Sequence, residues 1–438
     1  MTTKLTFVKY RQMRWYSTKE KMRVVDTVNE QLTNKELKHK HHPGKSKLSY
    51  IQQPSWLLHT VLDFLKDEII SHKSVWESGQ KLASYLHERH IPFESVDISI
   101  KLNEVRSRTN MYTENKEDLL KNPKALKLFK QLVYNWQPVK YDKYTSLSYL
   151  VNRSVPEYSV LCRIMNEINI NDTNFTPKTL FDFGSGIGTV MWAASQFWLK
   201  SIYEYYCIDT SGDMNNLSEY LIKRAKPQIP LKNIFYRQFL PASPTPTYDI
   251  VVSAYSLFEL PDQNSRLEVI AKLWEKTENY LIIVEQGTRA GFTIINEARD
   301  FILNYTKQTS GAHVFSPCPH DLACPRYTSD DTPCNFEISY QSLRIATPSK
   351  YLKERYSYVV LKKGERSEDD YQWPRIVRPT MKRSKHVICR LCTSSGKLEE
   401  QIFTTWKNGK NTYRCSRASK WGDCLPFETE EKSNEEPK

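Results

Sequence analysis

From Thr179 onward the chain changes rhythm: short apolar runs at 180–183, 205–208, 248–253 and 280–284 alternate with helical stretches. Parallel strands need long crossovers that pack back on the sheet. This alternation therefore predicts a mostly parallel sheet with helices on both faces. Residues 356–361 and 386–391 then supply two later edge strands, giving an α/β, doubly wound, seven-stranded sheet. Prolines 241, 244 and 246 mark the connections.

At the first of these strands the sequence reads Phe181-Asp182-Phe183-Gly184-Ser185-Gly186-Ile187-Gly188-Thr189 and opens a helix through 191–197. Glycines let backbone approach a ligand, and a helix N-terminus offers unpaired N–H groups. Asp209 closes the next strand, where a carboxylate can accept ribose hydroxyls. With GxGxG spacing and both acids, the turn resembles the S-adenosylmethionine turn of class I methyltransferases more than a dinucleotide fingerprint. Asp182, Gly184, Ser185, Gly186, Gly188 and Asp209 are the candidate cofactor-binding residues. The alternative is an inherited turn that binds nothing. After the third strand, Tyr236-Arg237-Gln238-Phe239 offers no acid for an adenine amine, which leaves weak binding or another nucleotide open.

Binding is not transfer. Ser253-Ala254-Tyr255-Ser256-Leu257-Phe258-Glu259-Leu260-Pro261 lacks the Asn/Asp-Pro-Pro-aromatic signature of exocyclic-amine methylation and the Pro-Cys or Thr-Cys of base-carbon methylation. Glu259 and Tyr255 are candidates to face a pocket, but the catalytic residue stays unknown.

The remaining sequence divides by composition. Residues 1–19 carry Lys4, Lys9, Arg11 and Arg14 before any acid and resemble a mitochondrial presequence; an ordinary basic terminus is the alternative. Residues 20–54 read as a flexible basic arm in which His39, His41 and His42 lack a metal-site pattern. Residues 55–170 show helical stripes, among them Trp56, Leu57, Val61 and Leu65. The methyltransferase core follows at 171–310, a Cys-rich insertion at 311–341, the last core strands at 342–395, a basic β-hairpin extension around Asn408-Gly409 at 396–426, and an acidic tail at 427–438. Apolar residues make up 39% of the chain, enough for a sizeable core, so a wholly disordered chain is excluded. No apolar run approaches the roughly 18 residues of a membrane helix, and a soluble protein without membrane insertion is expected.

Nine cysteines occur, and most cluster late: Cys318, Cys324, Cys334, then Cys389 and Cys392. In a reducing compartment they are thiols or metal ligands rather than disulfides. Zinc favours close pairs such as Cys389/Cys392, whereas an iron–sulfur cluster tolerates the wider spacing of Cys318 and Cys324, each followed by proline. Both remain open from spacing. The formal charge of +13 suggests a polyanionic partner. Between Tyr371 and Lys420 stand twelve Lys or Arg and two acids, interleaved with Trp373, Phe403, Trp406 and Tyr413, an RNA-binding composition whose alternative is a solvated basic face.

These motifs occur in one order: the turn at 182–188, Glu285-Gln286-Gly287-Thr288, Ala312-His313, Cys318-Pro319-His320 with Cys324-Pro325, Arg378-Pro379, 382–387, Tyr413-Arg414 and Trp421-Gly422-Asp423. In that order they resemble the methyltransferase-like protein 17 family, assembly factors of the mitochondrial ribosomal small subunit, over about 149–426. The resemblance implies a [4Fe–4S] cluster on Cys318, Cys324, Cys334 and Cys392, with zinc as the alternative metal and Cys389 outside the site. It implies S-adenosylmethionine as a possible second ligand and a matrix location. It further implies small-subunit rRNA and ribosomal proteins of the immature subunit as partners, engaged as a monomer. An active rRNA methyltransferase is the alternative to a scaffold.

Overall fold

The structure, a computed structural model, describes residues 21–429 except 47, 49, 112, 134, 135, 309, 310, 330, 331, 368 and 369. The expected presequence and all but the first three residues of the acidic tail lie outside these. The described residues form two compact units, one from 48–316 and 335–366, the other from 21–46, 317–334 and 367–429.

The described chain opens with β1 (Met22–Val24), α1 (Asp26–Thr33) and β2 (Tyr50–Ile51). Helices α2 (Ser55–Asp67), α3 (His72–Glu88), α4 (Ser95–Thr109), α5 (Lys116–Leu120) and α6 (Pro123–Leu132) follow, as the stripes predict. Trp56, Leu57, Val61 and Leu65 are the buried face of α2. Asn122 accepts from the N–H groups of Lys124 and Ala125, and Pro123 starts α6 where no amide is needed. The next helix, α7 (Lys143–Asn171), runs unbroken through Pro156, where two helices are expected from the proline. Burial on almost every face outweighs the one hydrogen bond that Pro156 removes.

The core then alternates: β3 (Thr179–Phe183), α8 (Thr189–Trp198), β4 (Glu204–Ile208), α9 (Gly212–Ala225), β5 (Ile234–Arg237), β6 (Tyr248–Ala254), α10 (Gln263–Glu275), β7 (Thr277–Gln286), α11 (Arg289–Tyr305) and β8 (Ala312–Ser316). Beyond α12 (Pro325–Ser329) come β9 (Phe336–Gln341) and β10 (Tyr351–Lys363). The sheet order is β2-β9-β10-β7-β6-β3-β4-β5. Strands β3 to β7 are parallel, and β10 runs antiparallel to β7. By position in sequence this is 3-2-1-4-5, with an antiparallel last strand inserted beside the fifth, the arrangement of a class I methyltransferase core. The switch point lies between β3 and β6. From Tyr280 to Gln286, β7 is continuously buried, as a strand covered on both faces must be.

One expected strand belongs elsewhere. The outer edge of β10 is shared by β8, opposite Val360–Lys363, and β9, opposite Tyr351–Tyr356, so the sixth strand is split around residues 317–335. Residues 386–391 are not the seventh strand. They lie in β13 (His386–Cys392) of a separate antiparallel sheet, with β11 (Arg375–Ile376), β12 (Met381–Lys382) and β14 (Leu398–Thr404). Val387, Cys389 and Leu391 are buried while the residues between them are half-exposed, the one-sided pattern of an antiparallel sheet.

The hairpin expected at Asn408-Gly409 is a helix–helix joint. There α13 (Thr405–Asn408) meets α14 (Lys410–Ala418), and Gly409 takes φ +80° and ψ 163°, outside a two-residue hairpin turn. Asn408 is occupied otherwise: its Oδ1 accepts from Thr404 N and its Nδ2 donates to Met22 O. Thr412, Cys415 and Ser416 are buried at helical spacing. The actual hairpin joins β13 to β14 through Gly396, at φ +73°. Nor is 20–54 a flexible arm. Val24, Val28 and Leu32, four residues apart, pack with Ile376, Val387, Phe403 and Phe427, and β1 pairs with β15 (Phe427–Thr429). The high Lys and His content conceals that stripe. Among the described residues no helix is long and apolar enough to cross a membrane.

Candidate cofactor pocket and thiol cluster

The glycine turn joins β3 to α8 at the carboxyl ends of the parallel strands. Gly184, Gly186 and Gly188 all have positive φ, +72°, +51° and +87°. A Cβ on Gly184 would stand 2.3 Å from Ser256 Cβ, and one on Gly188 2.7 Å from Ser218 Oγ. At Gly186 the nearest atom would be 4.0 Å away, so its open side faces space rather than protein. The predicted residues converge. Asp209 Oδ2 accepts from Gly186 N at 2.9 Å and Oδ1 from Ser211 N at 2.8 Å, while Ser185 N donates to Ile208 O. Asp209 is thus a brace of the turn, with lone pairs remaining for a ligand.

Asp182 is fully buried, and neither carboxylate oxygen has a hydrogen-bond partner; Ser185 Oγ is in the same condition. Burial, then the charge of Asp209, pushes the Asp182 carboxyl well above its usual range. Burial also raises Asp209, while the Ser211 and Gly186 amides pull it back. Unsatisfied polar atoms beside an open glycine fit a polar ligand such as the methionine and ribose portions of S-adenosylmethionine.

The space beyond β6 is filled by the chain itself. Glu259 is held by Arg89 and by Val139 N at 2.8 Å. Arg89 Nη2 and Trp136 Nε1 both donate to Phe258 O, at 2.9 and 3.0 Å. Tyr255, at φ +58°, is partly buried, with the Arg153 guanidinium 5.6 Å over its ring. Among these side chains lies a cavity of about 20 Å³ lined by Arg89, Tyr141, Tyr149, Glu157, Tyr255 and Glu285, room for about one water. Glu259 is engaged by Arg89 and Val139 N, whereas the Tyr255 hydroxyl at this cavity has no hydrogen-bond partner among the described residues. Arg89 and the 136–142 segment, which close this side, carry no sequence signal beyond helical and loop composition.

The cysteines separate into two sets. Cys162, Cys207 and Cys415 are buried packing residues, and none of the nine forms a disulfide. Cys389 is sealed in the core between Val387 and Leu391. Three residues on, along an extended strand, Cys392 points to the opposite face. A Cys-x2-Cys on a strand therefore cannot chelate as a pair. Cys392 instead meets the excursion. Burial raises its thiol well above the ordinary value, and the neighbouring Cys318, Cys324 and Cys334 raise it further. Burial likewise pushes Cys334 up to about 12, with Cys324 and Cys318 adding and Arg326 and Arg378 opposing.

His320 Nε2 lies 3.4 Å from Cys392 Sγ, and buried Arg326 donates to Thr332 Oγ1 at 2.8 Å. Arg378 donates to the same hydroxyl. Cys318, Cys324 and Cys334 are thus near enough to Cys392 to influence its thiol electrostatically. Among the described residues no three His, Cys, Asp or Glu side chains form a group that could hold a metal ion. By chemistry alone, soft thiols flanked by Arg326 and Arg378 are the donor type that thiolate-bound metals and clusters take once deprotonated. His39 and His42 take structural partners, Asn411 and Ser419.

Strand order, glycine turn and thiol site together define a protein with a methyltransferase core and a Cys-bearing second unit. A family model described as mitochondrial small ribosomal subunit Rsm22 matches residues 143–426, and the chain belongs to that family. It is 36% identical over 401 residues to the human ribosome assembly protein METTL17, mitochondrial, covering 89% of this chain and 86% of that one. It is 27% identical to the Rsm22-cox11 tandem protein 2, mitochondrial, of Schizosaccharomyces pombe, covering 64% of this chain and 43% of the tandem protein.

Solved structures with similarity include magnesium protoporphyrin IX methyltransferase from Synechocystis with bound SAM (12% identity, TM-score 0.31, 60% of this chain and 97% of that one). Another is a SAM-dependent methyltransferase from Aquifex aeolicus (15%, 0.30, 50% and 99%). At such scores the class rests on strand order, not on superposition.

Proposed function

We propose that this protein is a mitochondrial assembly factor of the small ribosomal subunit, acting in the matrix as an rRNA-binding scaffold rather than as a methyltransferase. Membership of the Rsm22 family and the resemblance to human METTL17 support the ribosomal and mitochondrial parts. The observation that carries the scaffold reading is the engagement of the 258–259 loop by Arg89, Trp136 and Val139, beside a cavity of about 20 Å³. A base to be methylated needs far more room.

In this reading Cys318, Cys324, Cys334 and Cys392 hold a [4Fe–4S] cluster. Bound there, the cluster supplies a covalent cross-link between chain segments. The protein's own residues do the rest: Arg326 and Arg378 offset thiolate charge, His320 contacts the Cys392 sulfur, and the excursion is pinned to β13. Ordering the excursion stiffens a surface rich in Lys and Arg, which neutralises rRNA phosphates with release of counterions. Asp182, Gly184, Ser185, Gly186, Gly188 and Asp209 hold S-adenosylmethionine as a bound ligand. The unsatisfied acceptors of that pocket favour occupancy.

The test is methyl transfer from labelled S-adenosylmethionine to immature small-subunit particles, with anaerobically purified protein and Gly186→Asp as control. RNA binding without label in rRNA is expected. Label that disappears with Gly186→Asp would make the protein an rRNA methyltransferase and overturn the scaffold reading.

A further inference from the structure

In the second unit, α1, the loop after it and the α13–α14 joint enclose a groove of about 670 Å³. Five cationic side chains line it, Arg23, Lys35, Lys38, Lys410 and Arg414, against one acid, Asp26. Arg23 is already matched, to Glu428 at 2.9 Å and Asp26 at 3.5 Å. The other four have no ion pair among the described residues. Four uncompensated cations converging on a concave surface repel one another, and a polyanion relieves that repulsion.

Beside the groove stands Trp406, 96% exposed, two residues before the groove-lining Asn408. A lone exposed apolar side chain says little. This one sits on a four-residue helix fixed at both ends: Thr404 Oγ1 accepts from Lys407 N at 3.0 Å, and Asn408 bonds both Thr404 and Met22. It is an exposed aromatic plate on a turn whose backbone is capped, two residues along the chain from a cationic groove. Base stacking requires such a plate, and sequence-tolerant binding of single strands combines the two features. Duplex RNA keeps its bases inside and offers nothing to stack. An acidic peptide would use the charges but leave the indole idle.

We propose that this groove binds a single-stranded stretch of RNA, phosphates against Lys38, Lys410 and Arg414 and one base stacked on Trp406. This rests on the RNA-binding reading above and assigns it a site. The test is fluorescence anisotropy with a short labelled oligouridylate on the full-length protein across a salt series. Trp406→Ala is expected to weaken binding roughly tenfold, with Trp406→Phe recovering most of it. Lys410→Ala with Arg414→Ala is expected to lower the salt slope by about 0.7 for each phosphate no longer neutralised. Thermal melts of Trp406→Ala should match wild type, because the indole packs on nothing.

Wild-type binding unchanged in all three variants overturns the groove while leaving RNA binding by another surface. No binding by the wild type overturns both. Tighter binding of a labelled polyglutamate peptide, insensitive to Trp406→Ala, overturns it in favour of a protein partner.

Discussion

The glycine turn and the late cysteines are two sets of candidate site residues, and they are assembled in opposite ways. The turn is local: one strand–helix junction supplies Asp182 to Gly188, and the adjacent strand supplies Asp209. The thiol cluster is non-local, drawing Cys318, Cys324 and Cys334 from an excursion that splits a core strand, and Cys392 from another sheet. In the loop after β6, Arg89 and Trp136 both donate to the Phe258 carbonyl. The contrast teaches that a turn built from neighbours in sequence needs only its own strand–helix junction, whereas thiols drawn from distant segments depend on how the whole second unit folds.

That contrast breaks most sharply on cysteine substitution. Cys392→Ser should remove the visible absorption of anaerobically purified protein and cost more than about 4 kcal/mol, since loss of a metal site belongs to the large destabilisations. Cys389→Ser, three residues away on the opposite face, should keep the chromophore and cost about 1–3 kcal/mol for a buried hydroxyl. Equal effects from both, read by absorbance and denaturant unfolding, would mean that the thiol site is packing and nothing more.

How much of each site was legible follows from the same distinction. The turn, its strand and its helix could be read because the residues that make them are neighbours in sequence and the period changes from two to 3.6 across them. Which face of β13 each cysteine takes was readable in principle from alternation, yet the Cys-x2-Cys spacing points to a zinc pair until the strand is known. The cluster's ligand set came from family resemblance and not from physics. Three expectations failed for one reason. The seventh strand, the hairpin and the flexible arm all lie in the second unit, where short elements take their stability from a shared core of distant residues. Asn408-Gly409 prefers a hairpin locally, and the partners of Asn408 across the unit decide otherwise.

A pH series sharpens the claim that the region beyond β6 is sealed. Glu285 is fully buried, and burial pushes its carboxyl up to about 8, with Leu257 N–H and Arg89 pulling back. A carboxyl whose folded value is raised stays protonated while the unfolded chain ionises. Its contribution is therefore present in acid and lost as pH rises toward 8. Unfolding free energy should decline between about pH 5 and 8, by at most about 1.4 kcal/mol per unit for this group. Glu285→Gln keeps an acceptor for Leu257 N and should flatten that part of the slope. A slope unaltered in the Gln variant would mean that water reaches this site.

The smallest effect on stability tests the local site most directly. Gly184→Ala must displace Ser256, whose Cβ would lie 2.3 Å away, so it damages the turn itself. Gly186→Ala meets no atom nearer than 4.0 Å and pays only for its φ of +51°, about 1–2 kcal/mol. The methyl group would enter the open space on that side of a turn in which Asp182 and Ser185 carry unsatisfied polar atoms. Calorimetric titration with S-adenosylmethionine should therefore lose its signal in a protein whose melting is nearly normal. Retained affinity in Gly186→Ala would show that the ligand does not approach the open side of this glycine. The two buried polar groups would then be a relic of the fold, and the scaffold would depend on the second unit alone.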